Sequence, residues 1–339
     1  MAASPPRPED WITVRPEGLY CVPGGFFVDP VRPVDRAVVT HGHSDHARSG
    51  HGCVLATAET LAIMAARYGA GFAGATQALA YGTKITLGGV RLRLVPAGHI
   101  LGSAQAVLEH AGTRIVISGD YKRRRDPTCL PFQPVPCDVF VTEATFALPV
   151  FRHPDDRGEI VRLLDVHRRN PDRSVVVGVY ALGKCQRVIR LLREVGHDGP
   201  VYLHGALAAL CDLYAAHGIA LGPLLPATDA GKAALAGALV LAPPAAVADR
   251  WARRLADPIV AMASGWMRVR QRARQRGVEL PLVISDHADW DELLRTIDEV
   301  GAPRVWVTHG REEALVHAAR ARGVDARALA VVGFDEEES

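Results

Sequence analysis

The run His41-Gly42-His43-Ser44-Asp45-His46, directly after the β-branched stretch RAVVT (36–40), constrains this chain more than any other feature. Three imidazoles and a carboxylate within six residues suit borderline divalent ions such as zinc, which accept nitrogen and oxygen donors. In an extended segment His41 and His43 face the same side, and the Asp45-His46 pair can turn towards a second ion. The bland alternative is a solvated polar loop that happens to be rich in histidine, and four such residues at this spacing argue against it. One loop cannot close two coordination shells, so further donors must come from elsewhere in the chain.

Short β-rich stretches supply them, each delivering an ionisable residue just past its carboxyl end. Residues 90–96 lead to His99, 113–118 to Asp120, 138–142 to Glu143, 282–284 to His287 and 304–308 to His309. In a layered α/β fold, strand-end loops along one edge are where sites assemble. Helices are predicted over 57–67, 155–169, 183–195, 290–300 and 312–320. The middle of the chain, with its own strands (SVVVGVY, PVYLH, PIVAMAS) and few candidate ligands, reads as a second α/β lobe inserted into the first. The expected division is 1–155 plus 282–339 around an insert of 156–281.

With 339 residues, 48% hydrophobic and 22% charged, the chain can bury a core without staples, which excludes an intrinsically disordered chain. Its longest apolar stretch, 233–248, is broken by Gly237 and the Pro243-Pro244 pair and falls short of the ~20 residues a bilayer span needs. The start, MAASPPRPEDW, has no charged leader before an apolar block, so a cytoplasmic protein with no membrane partner is expected. The six cysteines form no C-x-x-C pair and read as reduced thiols. A net charge of +2 does not by itself announce a nucleic-acid partner.

Local features do suggest one. Gly183-Lys184 follows a strand and opens a helix, a geometry that can bind a phosphate; an ordinary helix start is the alternative. Lys122-Arg123-Arg124-Arg125 follows Asp120 closely, and Arg268, Arg270, Arg272, Arg274 and Arg276 fall on alternate residues. Such clusters can track a phosphate backbone, or simply form a solvated face. Trp266 can stack a base or pack in the core.

These residues carry a resemblance. The chain resembles the metallo-β-lactamase fold hydrolases, specifically their β-CASP nuclease branch, over nearly its whole length. Asp35 matches the first motif of that family, His41 to His46 the second, AGHILGSA around His99 the third and SGD at Asp120 the fourth. Glu143 in VTEAT resembles motif A, His287 in SDHAD motif B and His309 in THGRE motif C. The blocks GLYCVPGGFFVDPVRPVDRAVVTHGHSDHA and VTEATFALPVFRHP are similar to those of bacterial exonucleases associated with an ATP-dependent DNA ligase.

The resemblance implies a metallo-β-lactamase αββα sandwich with an inserted β-CASP α/β lobe. It implies two divalent ions, zinc foremost and manganese as an alternative. One would be held by His41, His43, His99 and Asp120, the other by Asp45, His46, Asp120 and His309. Asp35 would be an outer carboxylate that orients a ligand, and His287 a general acid poised by Glu143. The implied activity is phosphodiester hydrolysis by a metal-activated hydroxide, as an exonuclease on single-stranded DNA ends. DNA ligase, helicase and metallophosphoesterase of the same pathway would be partners. A terminal 5′-phosphate would sit at Gly183 and Lys184, with Lys122, Arg123 and Trp266 as further contacts. Histidine at motif C is more usual among RNA-processing members, so an RNA-cleaving enzyme is the alternative. A non-catalytic scaffold of a repair complex would typically have lost ligands of the second motif, all of which are present here.

Overall fold

The computed structural model describes residues 7–247, 249–255, 257–329 and 331. The chain divides into two compact units, one comprising the residues up to Pro149 and from His287 onward, the other Val150–Asp286. The second unit is wider at both ends than the 156–281 expected from texture. Its last strand, Leu280–Leu282, pairs inside it with Ile259–Ala263.

The first unit holds two sheets. One begins with an antiparallel meander of Ile12–Arg15, Gly18–Cys21 and Phe26–Val28 and continues in parallel through Arg36–Val38, His51–Ala56 and Ala73–Ala78. The other begins with antiparallel strands Ile85–Leu87, Val90–Pro96, Ala104–His110 and Thr113–Ile117. It then continues in parallel through Val139–Ala144, Arg304–Gly310 and Asp325–Ala328.

Alternation along the strands sorts their side chains into layers. Val38 and Leu55 of the first sheet meet Leu94, Ile117, Val141 and Trp306 of the second in one central core. The neighbouring positions point outward: Ala37, Val54 and Ala56 pack with Met64 of helix Ala58–Tyr68. Val116, Phe140, Val305 and Val307 pack with Leu293 and Ile297 of helix Trp290–Val300 and with Leu315 of helix Glu312–Arg320. The result is a helix–sheet–sheet–helix sandwich. Residues such as Val139 to Val141 face apolar neighbours on both sides, so they read as continuous apolar runs rather than half-polar ones.

The second unit is an all-parallel sheet in the order Leu224–Pro226, Val201–Leu203, Leu239–Ala242, Val175–Gly178, Ile259–Ala263, Leu280–Leu282. Helices Asp156–Arg169, Lys184–Glu194 and Gly205–Ala216 connect or flank these strands, and Asp155 caps the first of them by accepting from the Gly158 amide at 3.1 Å. Among the described residues, no helix is long and apolar enough to cross a membrane.

Candidate metal centre

The strand Arg36–Val38 runs straight into Thr40 and His41 at the edge of the sandwich. There Asp120 is the hub. It shares one donor group with His41, His43 and His99, a second with His46 and His309, and a third with Glu143 and His287; within each group the donor atoms lie within 4.8 Å of one another. Asp120 Oδ2 stands 3.5 Å from His41 Nε2, 3.4 Å from His46 Nε2, 3.9 Å from His99 Nε2 and 4.0 Å from His287 Nδ1. The turn that delivers it needs Gly119, whose φ is 56° and where a Cβ would lie 2.6 Å from Thr40 Oγ1.

The donors are held from behind. Thr40 Oγ1 is 3.1 Å from Nδ1 of His41, leaving Nε2 to face the cluster. His46 Nδ1 is 2.8 Å from Asp29 Oδ2, which leaves its Nε2 facing Asp120. His41 Nε2 is buried with no hydrogen-bond partner among the described residues, a costly state for a ring nitrogen unless something is bound to it. Buried nitrogens and carboxylate oxygens in this mixture fit a divalent ion.

The electrostatics of His41 and His309 favour ligation as well. Burial pushes His41 well below the usual imidazole range and His309 down to about 3, with His46 adding to both, so both rings stay neutral with lone pairs free to donate. For His46, burial acts the same way but is outweighed by the Asp120 and Asp45 carboxylates, which carry it well above that range. Asp120 is held well below the usual carboxylate range: burial would raise it, and His46, His287 and His41 overcome that.

Beside the cluster, His287 Nδ1 stands 2.9 Å from Glu143 Oε2. Glu143 is fully buried, and its other oxygen accepts from the Tyr121 amide at 2.7 Å. The carbonyl of Tyr121 accepts from the amide of Ala288 at 2.7 Å, so one residue steadies both partners of the pair.

The structure thus brings together His41, His43, His46, His99, Asp120, Glu143, His287 and His309. Asp45 sits at its margin, with Oδ2 3.6 Å from His46 Nε2. The outer carboxylate is a correction. Asp35 is exposed, whereas Asp29 is buried against His46 and Thr40. Asp29 ends the strand Phe26–Val28, which pairs in parallel with Arg36–Val38, and this pairing brings its carboxylate to the level of the histidine run. The signal for it was there in FFVDP, a strand followed by a carboxylate, as at the other sites.

The expected substrate contacts are also corrected. Lys184 is buried, with Nζ 2.8 Å from Asp286 Oδ2, and Gly183 donates its amide to Gln186 Oε1 at 2.8 Å. Neither offers a phosphate pocket. Lys122 is buried, and Arg123 donates to Thr296 and Glu299 while lying over the Phe132 ring. Arg124 is paired with Asp289 and Glu292. Trp266 is buried, with Phe151 at its edge and the Arg272 guanidinium 3.9 Å above its ring, so no face is left for a base. The strand expected over 282–284 ends at Leu282.

Comparison with known proteins agrees with this geometry. Residues 27–179 match the Metallo-beta-lactamase superfamily. The chain is 31% identical over 323 residues to a "Probable DNA ligase" of Opitutus terrae, covering 94% of this chain and 31% of that protein. It is 30% identical over 146 residues to "Endoribonuclease ysh-1" of Neurospora crassa, covering 40% of this chain and 17% of that one. It is 30% identical over 131 residues to "Cleavage and polyadenylation specificity factor 73" of Drosophila melanogaster, covering 36% and 19%. The chain therefore spans about a third or less of the length of these relatives. A crystal structure of a protein of unknown function from Enterococcus faecalis V583 shares the fold, with a TM-score of 0.59 at 15% identity over 88% of this chain and 80% of that one. Residues 27–179, the stretch that holds the histidine run, are thus similar to the Metallo-beta-lactamase superfamily.

Proposed function

We propose that this chain is a metal-dependent phosphodiesterase that shortens DNA ends. The observation that carries the reading is the position of Asp120, within reach of two imidazole groups and of the Glu143–His287 pair. His41, His43, His99 and Asp120 would hold one zinc or manganese ion, and Asp45, His46, Asp120 and His309 another. When bound, such a pair supplies Lewis acidity and lowers the pKa of water.

The chain's own residues do the rest. Nδ1 of His287 is engaged by Glu143, which leaves Nε2 to carry the proton that a departing 3′- or 5′-oxygen requires. Glu143 fixes the tautomer and orientation of the ring and stabilises its charged form. Asp29 fixes the orientation of His46 and so keeps its Nε2 aimed at the centre.

DNA as substrate and a DNA ligase as partner are supported by the likeness to the "Probable DNA ligase" of Opitutus terrae over most of this chain; ATP dependence of that ligase, and helicase and metallophosphoesterase as companions, rest on the sequence resemblance alone. A cytoplasmic setting agrees with six free cysteines. RNA cleavage is the second reading. It is favoured by His309, which lies in the cluster, and by the likeness to the Neurospora endoribonuclease.

The test is cleavage of matched, end-labelled single-stranded DNA and RNA with Zn²⁺ or Mn²⁺, with Asp120→Asn as control. Stepwise shortening of DNA that vanishes in the variant is expected. Cleavage of RNA with DNA left intact would replace the first reading by the second, and inertness towards both would overturn the phosphodiesterase.

A further inference from the structure

We propose that helix Ala58–Tyr68 sets the spacing between the loop of His41 and His43 and the loop of His99, with Thr60 and Arg67 as positioning residues for the ion that these histidines would hold; the inference rests on the reading of the cluster as a metal centre. Within this group His99 Nε2 stands 2.9 Å from His43 Nδ1, although the two residues are 56 apart in the chain. The loops touch at their base, where the Ala104 amide donates to the Thr40 carbonyl at 2.8 Å. Beyond that point the helix holds both. The hydroxyls of Thr57 and Thr60 donate to the Gly102 carbonyl at 2.8 and 3.1 Å. Further along the helix, Arg67 Nη1 donates at 2.9 Å to the carbonyl of Gly42, the residue between His41 and His43.

Thr60, Ile63 and Met64 are buried and Arg67 extends their stripe, so one face of the helix meets both loops. Ile63 lies so close to Gly42 that a Cβ there would come within 2.5 Å of its Cγ2, and a Cβ on Gly102 would come within 2.8 Å of the Thr60 amide nitrogen. Thr60 and Arg67 are seven residues apart, about 10 Å along a helix axis. The two carbonyls are therefore gripped at two points of one rigid rod. The His99 loop moves with its grip because it is closed on itself. Ser103 Oγ accepts from the amides of His99 and Ile100 at 3.1 and 3.2 Å, and the Tyr81 hydroxyl donates to the Ser103 carbonyl at 2.9 Å. Apolar packing, such as that of Met64 against Ala37 and Val54, holds the helix on the sheet without fixing direction. Hydrogen bonds weaken steeply when bent, so these fix where each peptide lies. His46, of the second group, has its own support in Asp29.

The experiment titrates the metal-free full chain with Zn²⁺ against a chelator of known affinity, with binding expressed per folded molecule from circular dichroism of the same sample. Arg67→Met and Thr60→Val each remove one grip and keep most of the bulk of the side chain. In each, one of the two bound zinc equivalents is expected to weaken about tenfold or more while the other is unchanged. In a His309→Ala background, which spares the first group, the same loss is expected in the equivalent that remains. Thr60→Ser, which keeps the hydroxyl, should bind as the wild type does. Met64→Ala loosens the helix without removing a hydrogen bond to either loop, and should lower the melting temperature of the metal-free protein with zinc affinity kept. Unchanged affinity in both Arg67→Met and Thr60→Val, or a loss in Met64→Ala as large as theirs, would overturn the proposal. A wild-type chain that takes up no zinc would instead overturn the metal-centre reading, and this inference with it.

Discussion

Asp29 Oδ2 lies 2.8 Å from Nδ1 of His46, and the opposite nitrogen of that ring lies 3.4 Å from Asp120, so one imidazole is held between two buried carboxylates. Asp29 is itself fixed by the Thr40 amide at 2.7 Å and the Thr40 hydroxyl at 2.6 Å. Asp29→Ala should therefore weaken metal binding about 10- to 100-fold, the usual cost of losing a carboxylate behind a ligating histidine. Asp35→Ala, at an exposed position, should leave it unchanged. Competition with a chelator of known affinity reads both, and equal behaviour of the two variants would refute the assignment.

His287→Ala should retain bound metal yet lose turnover by about 10²- to 10⁴-fold, the range for removal of a positioned general acid. Glu143→Gln keeps the size of the side chain but not the charge, and should give a smaller loss in the same direction. Metal analysis beside single-turnover rates separates this from ligation: metal lost with His287→Ala would make the histidine a ligand instead.

Acid should destabilise the metal-free protein. His41 and His309 fold with pKa values below the usual imidazole value, His309 at about 3, while unfolded imidazoles titrate near ~6.5. As pH falls the unfolded chain takes up protons first. The contribution of His309 is thus complete above about 6.5 and is lost between there and about 3, and that of His41 is lost in the same direction as pH falls. His46, whose value is raised, runs the other way; its contribution is present below about 6.5 and lost as pH rises through its folded value. Two groups against one favour a melting temperature lower at pH 5 than at pH 7.5 after chelator treatment. A higher value at pH 5 would show that the His46 pairings dominate.

The helix Arg270–Gln275 carries exposed Arg270 and Arg274 one turn apart, with exposed Arg268 and Arg276 at its ends. If this face meets a nucleic-acid backbone, Arg270→Glu with Arg274→Glu should weaken binding of single-stranded DNA. The salt dependence of log K should fall by about 1 for each phosphate that the variant no longer neutralises. Fluorescence anisotropy at several salt concentrations measures both, and an unchanged slope would make the face merely solvated.

Trp266→Ala should cost about 3–5 kcal/mol of stability, as expected for emptying a buried aromatic site, while affinity for single strands per folded molecule stays the same. Urea unfolding and stoichiometric binding on the same sample distinguish this from a stacking role.

Most of the sandwich and the side chains that cluster at its edge were legible because each sits just past a short apolar strand, a local pattern. Helices 290–300 and 312–320 fall where their apolar period and acidic first turns place them. What was not legible depended on partners distant in sequence. Lys122 to Arg124 look like a free basic stripe until Glu292, Thr296 and Glu299, some 170 residues later, come to lie beside Arg123 and Arg124. Lys184 reads as a phosphate-binding lysine until Asp286 meets it. Asp35 was expected as the outer carboxylate from its match to the first motif of the resembled family, whereas parallel strand pairing brings Asp29 to that place. Charge neutralisation and strand register are long-range facts, and no spacing rule within a short window contains them.

Asp120, Glu143 and His309 issue from three consecutive parallel strands, Thr113–Ile117, Val139–Ala144 and Arg304–Gly310. Neighbouring strands repeat at about 4.8 Å whatever their side chains. The separation between the Asp120 carboxylate, the Glu143 carboxylate and the His309 imidazole is therefore measured out by the backbone lattice, as by the divisions of a ruler. The chemistry at any one division can be exchanged by a single codon without altering the scale.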